Sequence, residues 1–208
     1  MFPPPNRTIL TLTLIFSLLF LSIGIAAPEA VDVSRSVVAL KQGKFVECSG
    51  FVIAPTYVMT ADHCLEGVTE LYTVDGIIAP EEVWHGGDKW DVAILRLASP
   101  TNRPPLRVAT NASISTPLKA YGFPGGKDKL KVLDLRISLL AFHFDDPEVF
   151  WVAMQPDVKA GMSGGPIVNP AGEVLAIIQV ASPGFKTSVS RIVGPIWEVT
   201  KEFWTYQD

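Results

Sequence analysis

Short apolar runs separated by turn-forming residues are the feature that most restricts how this chain can fold. Most of the runs are bounded by Gly, Pro, Asn or Asp, and no long amphipathic helical pattern lies between them. Such spacing favours a sandwich or barrel over a parallel sheet, so the sequence predicts an all-β fold. The runs with strand character are Ser36–Leu40, Phe45–Ile53, Tyr57–Thr60, Leu71–Ile78, Val92–Leu97, Leu118–Tyr121, Lys131–Ala141, Val149–Met154, Ile167–Val168, Val174–Val180 and Thr187–Val193.

The composition agrees with a folded β protein. The 17 prolines and 16 glycines are scattered along the 208 residues, as expected for many strands and turns. This length suits one domain or two small halves that share an interface. The formal net charge is -4, and no basic cluster suggests a nucleic-acid partner.

Residues 1–27 are predicted to form an export signal. Arg7 is their only charged residue, and a nearly uninterrupted apolar run follows from Ile9 to Ile25. Small residues at positions 24, 26 and 27 offer a cleavage region. Because the run approaches the length of a membrane span, a retained N-terminal anchor is the alternative. In either case we expect an exported domain, which is secreted, periplasmic or extracellular, or else anchored to a membrane by this segment.

The two cysteines, Cys48 and Cys64, are predicted to form a disulfide, because an even count in an oxidising compartment makes pairing the default. A zinc site that also uses His63 is the alternative. It lacks a convincing fourth ligand and the usual ligand spacing. We therefore expect no metal and no cofactor.

A candidate nucleophile, Ser163, lies in the sequence Gly161-Met-Ser-Gly-Gly-Pro. Glycines allow the chain and a substrate to approach closely, and the N–H groups of Gly161 and Ser163 are candidate donors to an oxyanion. The alternative is a turn that joins two strands and exposes an ordinary serine.

A serine nucleophile needs a base and a group that orients the base. His63 follows an apolar strand and adjoins a predicted disulfide, an anchor that His85 and His143 lack. Asp91 leads directly into an apolar run, whereas Asp88 lies further from it. We therefore expect His63 as the base and Asp91 as the orienting carboxylate.

Three segments, Cys48–Cys64, Asp91–Leu97 and Gly161–Pro166, resemble the three sequence blocks of trypsin/chymotrypsin-like serine proteases, in the same His, Asp, Ser order. The likeness runs from about Ser36 to the C-terminal helix. It implies two antiparallel six-stranded β-barrels with the triad in the cleft between them. The histidine and the aspartate would come from the first barrel, and the serine from the second.

The resemblance also implies a division of the chain. After the N-terminal segment, a trypsin-like protease domain is expected at about 34–208. Its expected parts are a first barrel at 34–100, a crossing segment at 101–117, a second barrel at 118–194 and a C-terminal helix at 195–206.

One residue departs from the pattern of secreted animal members of this family. They place an aspartate directly before the nucleophile, where it pairs with a new amino terminus after zymogen cleavage. Met162 stands there in this chain and cannot form that ion pair. The chain is in this respect similar to bacterial and viral members, including the high-temperature-requirement type. We expect an oxyanion hole that local packing sets.

The sequence leaves open which substrate residue the primary pocket would prefer. Asp157 lies six positions before Ser163, and the resemblance to trypsin implies an Arg or Lys preference. Against this, the disulfide that braces trypsin's pocket is missing, and Thr187 stands where an open pocket would want glycine. The remaining pocket walls are expected to come from Ala160, Gln179, Val180 and Ala181.

These observations predict an exported serine endopeptidase that acts on proteins or peptides, and we expect it to be a monomer. A catalytically inactive protease-fold binding protein is the first alternative, although a binding protein has no chemical need for all three triad groups. An exported esterase with the same chemistry is the second. A membrane partner is expected only if the N-terminal segment is retained.

Overall fold

The computed structural model describes residues 32–66, 71–73, 76–86, 90–109, 117–143, 146–155, 158–181, 188–192 and Phe203. These residues are mainly antiparallel strand, with short 3₁₀ helices at Val33–Ser36, Asp62–Leu65 and Pro124–Gly126. The prediction of an all-β fold is confirmed. The predicted N-terminal signal and nearly all of the predicted C-terminal helix lie outside the described residues.

The first sheet is closed, with its described strands in the order β1-β2-β3-β6-β5-β4. Antiparallel pairing of Lys41 with Tyr72 joins β4 to β1 and closes it. The single strand that we predicted at Leu71–Ile78 is wrong, because β4 and β5 pair there as an antiparallel hairpin in which Thr73 lies opposite Gly76. The strands are β1 (Val37–Gln42), β2 (Phe45–Ala54), β3 (Tyr57–Thr60), β4 (Leu71–Thr73), β5 (Gly76–His85) and β6 (Ala93–Leu97).

The second sheet is also closed, in the order β10-β11-β12-β9-β8-β7. Pairing of Ile167 with Ala120 joins β10 to β7. Among the described strands of this sheet, closure leaves no long edge to pair with another chain. The strands are β7 (Leu118–Gly122), β8 (Lys131–His143), β9 (Asp146–Gln155), β10 (Pro166–Val168), β11 (Val174–Ala181) and β12 (Ser188–Ile192).

Strand β2 explains why part of the sequence is apolar without alternation. Its residues from Cys48 to Ala54 are all buried. Phe51 and Ile53 belong to a cluster that draws on both sheets, whereas Val52, between them, packs with first-sheet residues. Because side chains alternate along a strand, burial on both faces requires a continuous apolar run.

The segment between the sheets is tied to each of them. The Leu106 N–H donates to the Val52 carbonyl of β2 at 2.9 Å. Further on, the Ala109 N–H donates to the Val174 carbonyl of β11 at 2.9 Å, and Val174 N–H donates back to Arg107 at 2.7 Å. These bonds hold the first sheet next to the strand that runs past Ser163.

Candidate active site

His63 and Asp91 meet at the ends of two neighbouring strands. His63 lies in the 3₁₀ turn after β3, and Asp91 lies two residues before β6, which pairs with β3. The two carboxylate oxygens of Asp91 lie 3.0 and 2.9 Å from His63 Nδ1. One of them also accepts from the His63 N–H at 2.9 Å. A proton on Nδ1 directed at this carboxylate leaves Nε2 free to accept another.

The disulfide fixes the other side of the His63 turn. Cys48 on β2 and Cys64 are joined, with their Cα atoms 6.0 Å apart. His63 and both sulfur atoms lie close enough to hold a metal ion, but sulfurs bonded to each other supply no thiolate ligand. The disulfide therefore explains why Cys48, His63 and Cys64 lie so close together.

The main chain at Asp91 is held by a side chain from the second sheet. Asp91 has a φ of 45°, in the left-handed region that aspartate tolerates better than most residues. Gln179 on β11 is buried, and its Nε2 donates to the carbonyls of Trp90 at 2.8 Å and Asp91 at 3.2 Å. Gln179 thus supports this backbone conformation.

The hydrogen bond that the His63 ring makes to the Asp91 carboxylate raises the pKa of His63 above its ordinary 6.5. Partial burial lowers this pKa, and the negative charges of Asp91, Glu66 and Asp62 raise it further. The imidazole therefore takes up a proton more readily than a free histidine does, which suits a base that becomes an imidazolium during reaction.

A pH profile checks this direction. If His63 is the base, as the sequence predicts, it must be neutral to accept a proton. Because its pKa is raised, we then expect kcat/KM to fall on the acid side with a midpoint above pH 6.5. Activity would be lost as the pH drops through that midpoint and regained as it rises. A midpoint clearly below 6.5 would contradict the proposed environment of His63.

Ser163 lies in the loop between the second-sheet strands β9 and β10 and shares a cleft with His63. The cleft is lined by both residues together with Gly161, Ala160 and the disulfide. The Ser163 hydroxyl donates to the main-chain carbonyl of Gln179 at 3.0 Å.

The loop that carries Ser163 presents main-chain donors to the same cleft. The carbonyl of Ala160 accepts from Gly125 N–H at 2.8 Å, which directs the Gly161 N–H of the same trans peptide to the opposite side. Within the described residues, the N–H groups of Gly161 and Ser163 donate no hydrogen bond. Gly161 has a φ of 91°, which glycine adopts without strain.

Met162, between the two donors, is buried among apolar residues of the second sheet. Its N–H donates to the Lys159 carbonyl at 3.0 Å, and its carbonyl accepts from Gly165 at 3.0 Å. This turn is therefore held by main-chain bonds and apolar packing.

The residues predicted to bind substrate fall into three groups. Ala160 is exposed and lines the cleft. The side chain of Gln179 is directed at Trp90 and Asp91, so only its main chain faces Ser163. Val180 and Ala181 lie on β11, with only their backbone described. The predicted pocket residues Asp157 and Thr187, and Asp88, the competitor of Asp91, lie outside the described residues.

The other two histidines lie apart from this geometry. His85 Nδ1 lies 2.7 Å from a carboxylate oxygen of Asp62, on the surface. His143 lies on β8, where it pairs with Asp146 across the hairpin.

Sequence reasoning missed Ser49, a buried serine on β2 that bonds to the Ser163 loop. A signal was available, because a polar residue inside a continuous apolar run must find a partner. It also missed Glu47 and Glu66, the acidic residues of the cleft lining. Nothing in the sequence pattern marks these two from other surface carboxylates.

Gly164 has no room for a side chain. Its φ is +80°, and an added Cβ would overlap the Thr60 hydroxyl and the Ser49 carbonyl. We expect Gly164→Ala to destabilise the fold by at least about 3 kcal/mol, since the backbone strain and the overlap add. Gly125→Ala is the matched control, with a φ of +69° but nothing within 4 Å of the added Cβ. Its expected cost in urea unfolding is about 1 kcal/mol, and equal losses would contradict the packing described.

Solved structures with this fold include bacterial proteases. The active form of the Rv3671c protease from Mycobacterium tuberculosis superposes with a TM-score of 0.68 and 22% identity, over 99% of this chain and 90% of that one. The HtrA-type protease AlgW, determined with a decapeptide, gives 0.67 and 15%, over 82% and 64%. At these identities the likeness concerns the fold.

Curated relatives are similar in sequence as well. The serine proteases Rv3671c and MT3772, from the H37Rv and CDC 1551 strains of Mycobacterium tuberculosis, are each 27% identical over 190 residues. The match covers 84% of this chain and 47% of each relative, so the chain spans about half their length.

A sequence profile identifies the family of this chain. The profile of the trypsin-like peptidase domain matches residues 48–177, which is more than half of the chain. The match begins at the first disulfide cysteine and includes His63, Asp91 and Ser163. The chain therefore belongs to the trypsin-like peptidase domain family.

Proposed function

We propose that this protein is an exported serine endopeptidase that cleaves peptide bonds with Ser163 as nucleophile, His63 as base and Asp91 as orienting acid. The observation that carries the proposal is the pair of contacts from the Asp91 carboxylate to Nδ1 of His63, whose side chain lines the same cleft as Ser163. The two closed sheets would be the two barrels of the trypsin-like fold, and 195–206 its final helix.

The reaction follows from these positions. Ser163 rotates away from Gln179, its Oγ attacks the substrate carbonyl carbon, and His63 Nε2 takes the hydroxyl proton. The oxyanion that forms accepts hydrogen bonds from the Gly161 and Ser163 N–H groups. His63 then gives its proton to the leaving amine as the C–N bond breaks. Water, deprotonated by His63, releases the acyl group and restores Ser163.

The alternatives make different demands on the same residues. A binding protein would keep the fold without needing the His63–Asp91 bond or unpaired donors beside Ser163. An esterase of the α/β-hydrolase type would also show Gly-x-Ser-x-Gly, which Gly161–Gly165 matches. There, however, the serine lies on a strand-to-helix turn, whereas the strand β10 follows Ser163. The local fold thus favours a trypsin-like protease.

Export is part of the proposal. Residues 1–27 have the charge and apolar run of a signal or an N-terminal anchor, and the Cys48–Cys64 disulfide suits an oxidising compartment. None of the helices in the described part of the chain has the length and apolar character that crossing a membrane requires.

A peptide-library cleavage profile, with Ser163→Ala as background, tests the function. We expect the wild-type chain to cut internal peptide bonds and the variant to cut none. Hydrolysis of simple esters without peptide cleavage would favour an esterase. No hydrolysis of either, with the fold intact, would favour a binding protein.

The same profile tests Asp157. If its carboxylate lies at the base of the primary pocket, wild type prefers Arg or Lys before the cut, and Asp157→Ala loses that preference. We expect a loss of at least about tenfold in kcat/KM for such substrates, since a buried ion pair is removed. An unchanged preference would place the carboxylate outside the pocket.

A further inference from the structure

Every polar group of Ser49 is engaged at the base of the candidate oxyanion hole. Its hydroxyl donates to the Gly161 carbonyl at 2.7 Å and accepts from the Phe123 N–H at 2.9 Å. Its N–H donates to the Ser163 carbonyl at 2.8 Å, and its own carbonyl accepts from the Thr60 hydroxyl at 2.8 Å. The residue is fully buried on β2, in the first sheet.

These bonds act on the orientation of alternate peptide groups in the Ser163 loop. The Ser49 hydroxyl holds the carbonyl of Gly161, and the Ser49 N–H holds that of Ser163. Through Phe123, the same hydroxyl anchors the loop whose Gly125 N–H holds the Ala160 carbonyl. Because a peptide group is planar, these two carbonyls fix the N–H groups of Met162 and Gly164. The Gly161 and Ser163 N–H groups belong to the peptide groups that alternate with them, whose carbonyls accept from Gly125 and Gly165. Ser49 therefore acts on the two donors through the adjacent peptide groups of the same turn.

The need for such an anchor comes from Met162. Its apolar side chain packs in the second sheet and offers no charge to an amino terminus or any other ion-pair partner. Main-chain donors stabilise an oxyanion only when they are oriented before the charge develops. A buried hydroxyl that bonds on both sides supplies that orientation from the neighbouring sheet.

We propose that Ser49 is a positioning residue that holds the Gly161 and Ser163 N–H groups ready for the oxyanion. This inference rests on the proposed function of Ser163. Ser49 touches no substrate and no reacting atom; it acts through the main chain of the loop. Its loss should therefore lower kcat much more than it raises KM.

The test compares two variants of equal size. Ser49→Thr keeps the hydroxyl, and Ser49→Val replaces it with a methyl group, so any crowding is common to both. With a fluorogenic peptide chosen from the cleavage profile, we expect Val to have a kcat about 30-fold below that of Thr, less than the roughly 10²–10³ for removing an oxyanion donor itself. KM should differ by less than about threefold, and the acid midpoint of the pH profile should stay in place.

Ser36→Ala is the matched control for loss of a buried serine hydroxyl. Ser36 is fully buried, and its hydroxyl has no hydrogen-bond partner within the described residues. We expect its kcat to stay within about twofold of wild type, because no loop depends on that hydroxyl. A thermal unfolding curve of each variant checks that it is folded at the temperature of the assay.

The outcomes separate the two proposals. Equal kcat for Ser49→Thr and Ser49→Val, with an active wild type, would refute the role of Ser49 alone. A difference carried by KM would refute it as well. A folded wild-type chain that hydrolyses no peptide would refute the proposed function, and the role of Ser49 with it.

Discussion

Ser163→Ala should lower kcat for peptide hydrolysis about 10⁶-fold, because it removes the atom that forms the acyl bond. Alanine lacks only the hydroxyl, whose one hydrogen bond within the described residues is to the Gln179 carbonyl. The fold should therefore persist, with KM close to that of wild type. The variant should still hydrolyse the peptide about 10³-fold faster than the uncatalysed reaction in water, because the main-chain donors remain.

The measurement is single-turnover and steady-state hydrolysis of one fluorogenic peptide, with protein purified away from host proteases. A matched control is Ser36→Ala, which removes a buried hydroxyl elsewhere in the fold. A fall of less than about 100-fold for Ser163→Ala would show that another group forms the covalent intermediate.

The second large effect is expected from Asp91→Asn, with kcat falling about 10⁴-fold. An amide at this position can direct its N–H at His63 Nδ1, which favours the tautomer with the proton on Nε2. That ring cannot accept the proton of Ser163. The change is isosteric, so the loss would report the charge and the tautomer of the pair.

The pH profile supplies a second readout for Asp91→Asn. The Asp91 hydrogen bond is the largest cause of the raised His63 pKa, so its loss should move the acid midpoint of kcat/KM to lower pH. Asp62→Asn is the matched control. That carboxylate also lies near His63, but it contacts His85 at 2.7 Å. Its kcat should change less than about threefold, since its effect is only a screened charge.

The fold class could be predicted from the sequence because alternation, turn residues and apolar runs act locally. The hairpin at Gly76 was missed because apolar residues on both sides of it made one run of what pairing divides into two strands. The continuous run of β2 did not reveal which residues face the second sheet. That division depends on how the two sheets pack, which no local pattern contains.

The site could be predicted in part for the same reason. Ser163, His63 and Asp91 each lie beside local signals, namely glycines, a cysteine and a strand start. Gln179 was expected to form a pocket wall because β11 follows the nucleophile loop. Its side chain instead crosses to the Trp90 and Asp91 carbonyls, which lie far away in sequence. Contacts of this kind depend on tertiary structure alone.

The most direct test of the central claim is the site at which a fluorophosphonate probe reacts with the whole chain. Mass spectrometry after digestion should find one adduct, on Ser163, that forms faster as the pH rises through the His63 midpoint. Ser163→Ala should show no adduct, and Asp91→Asn should be labelled far more slowly. Absence of an adduct on the folded wild-type chain, or equal labelling of Ser163→Ala, would contradict the assignment of Ser163 as nucleophile.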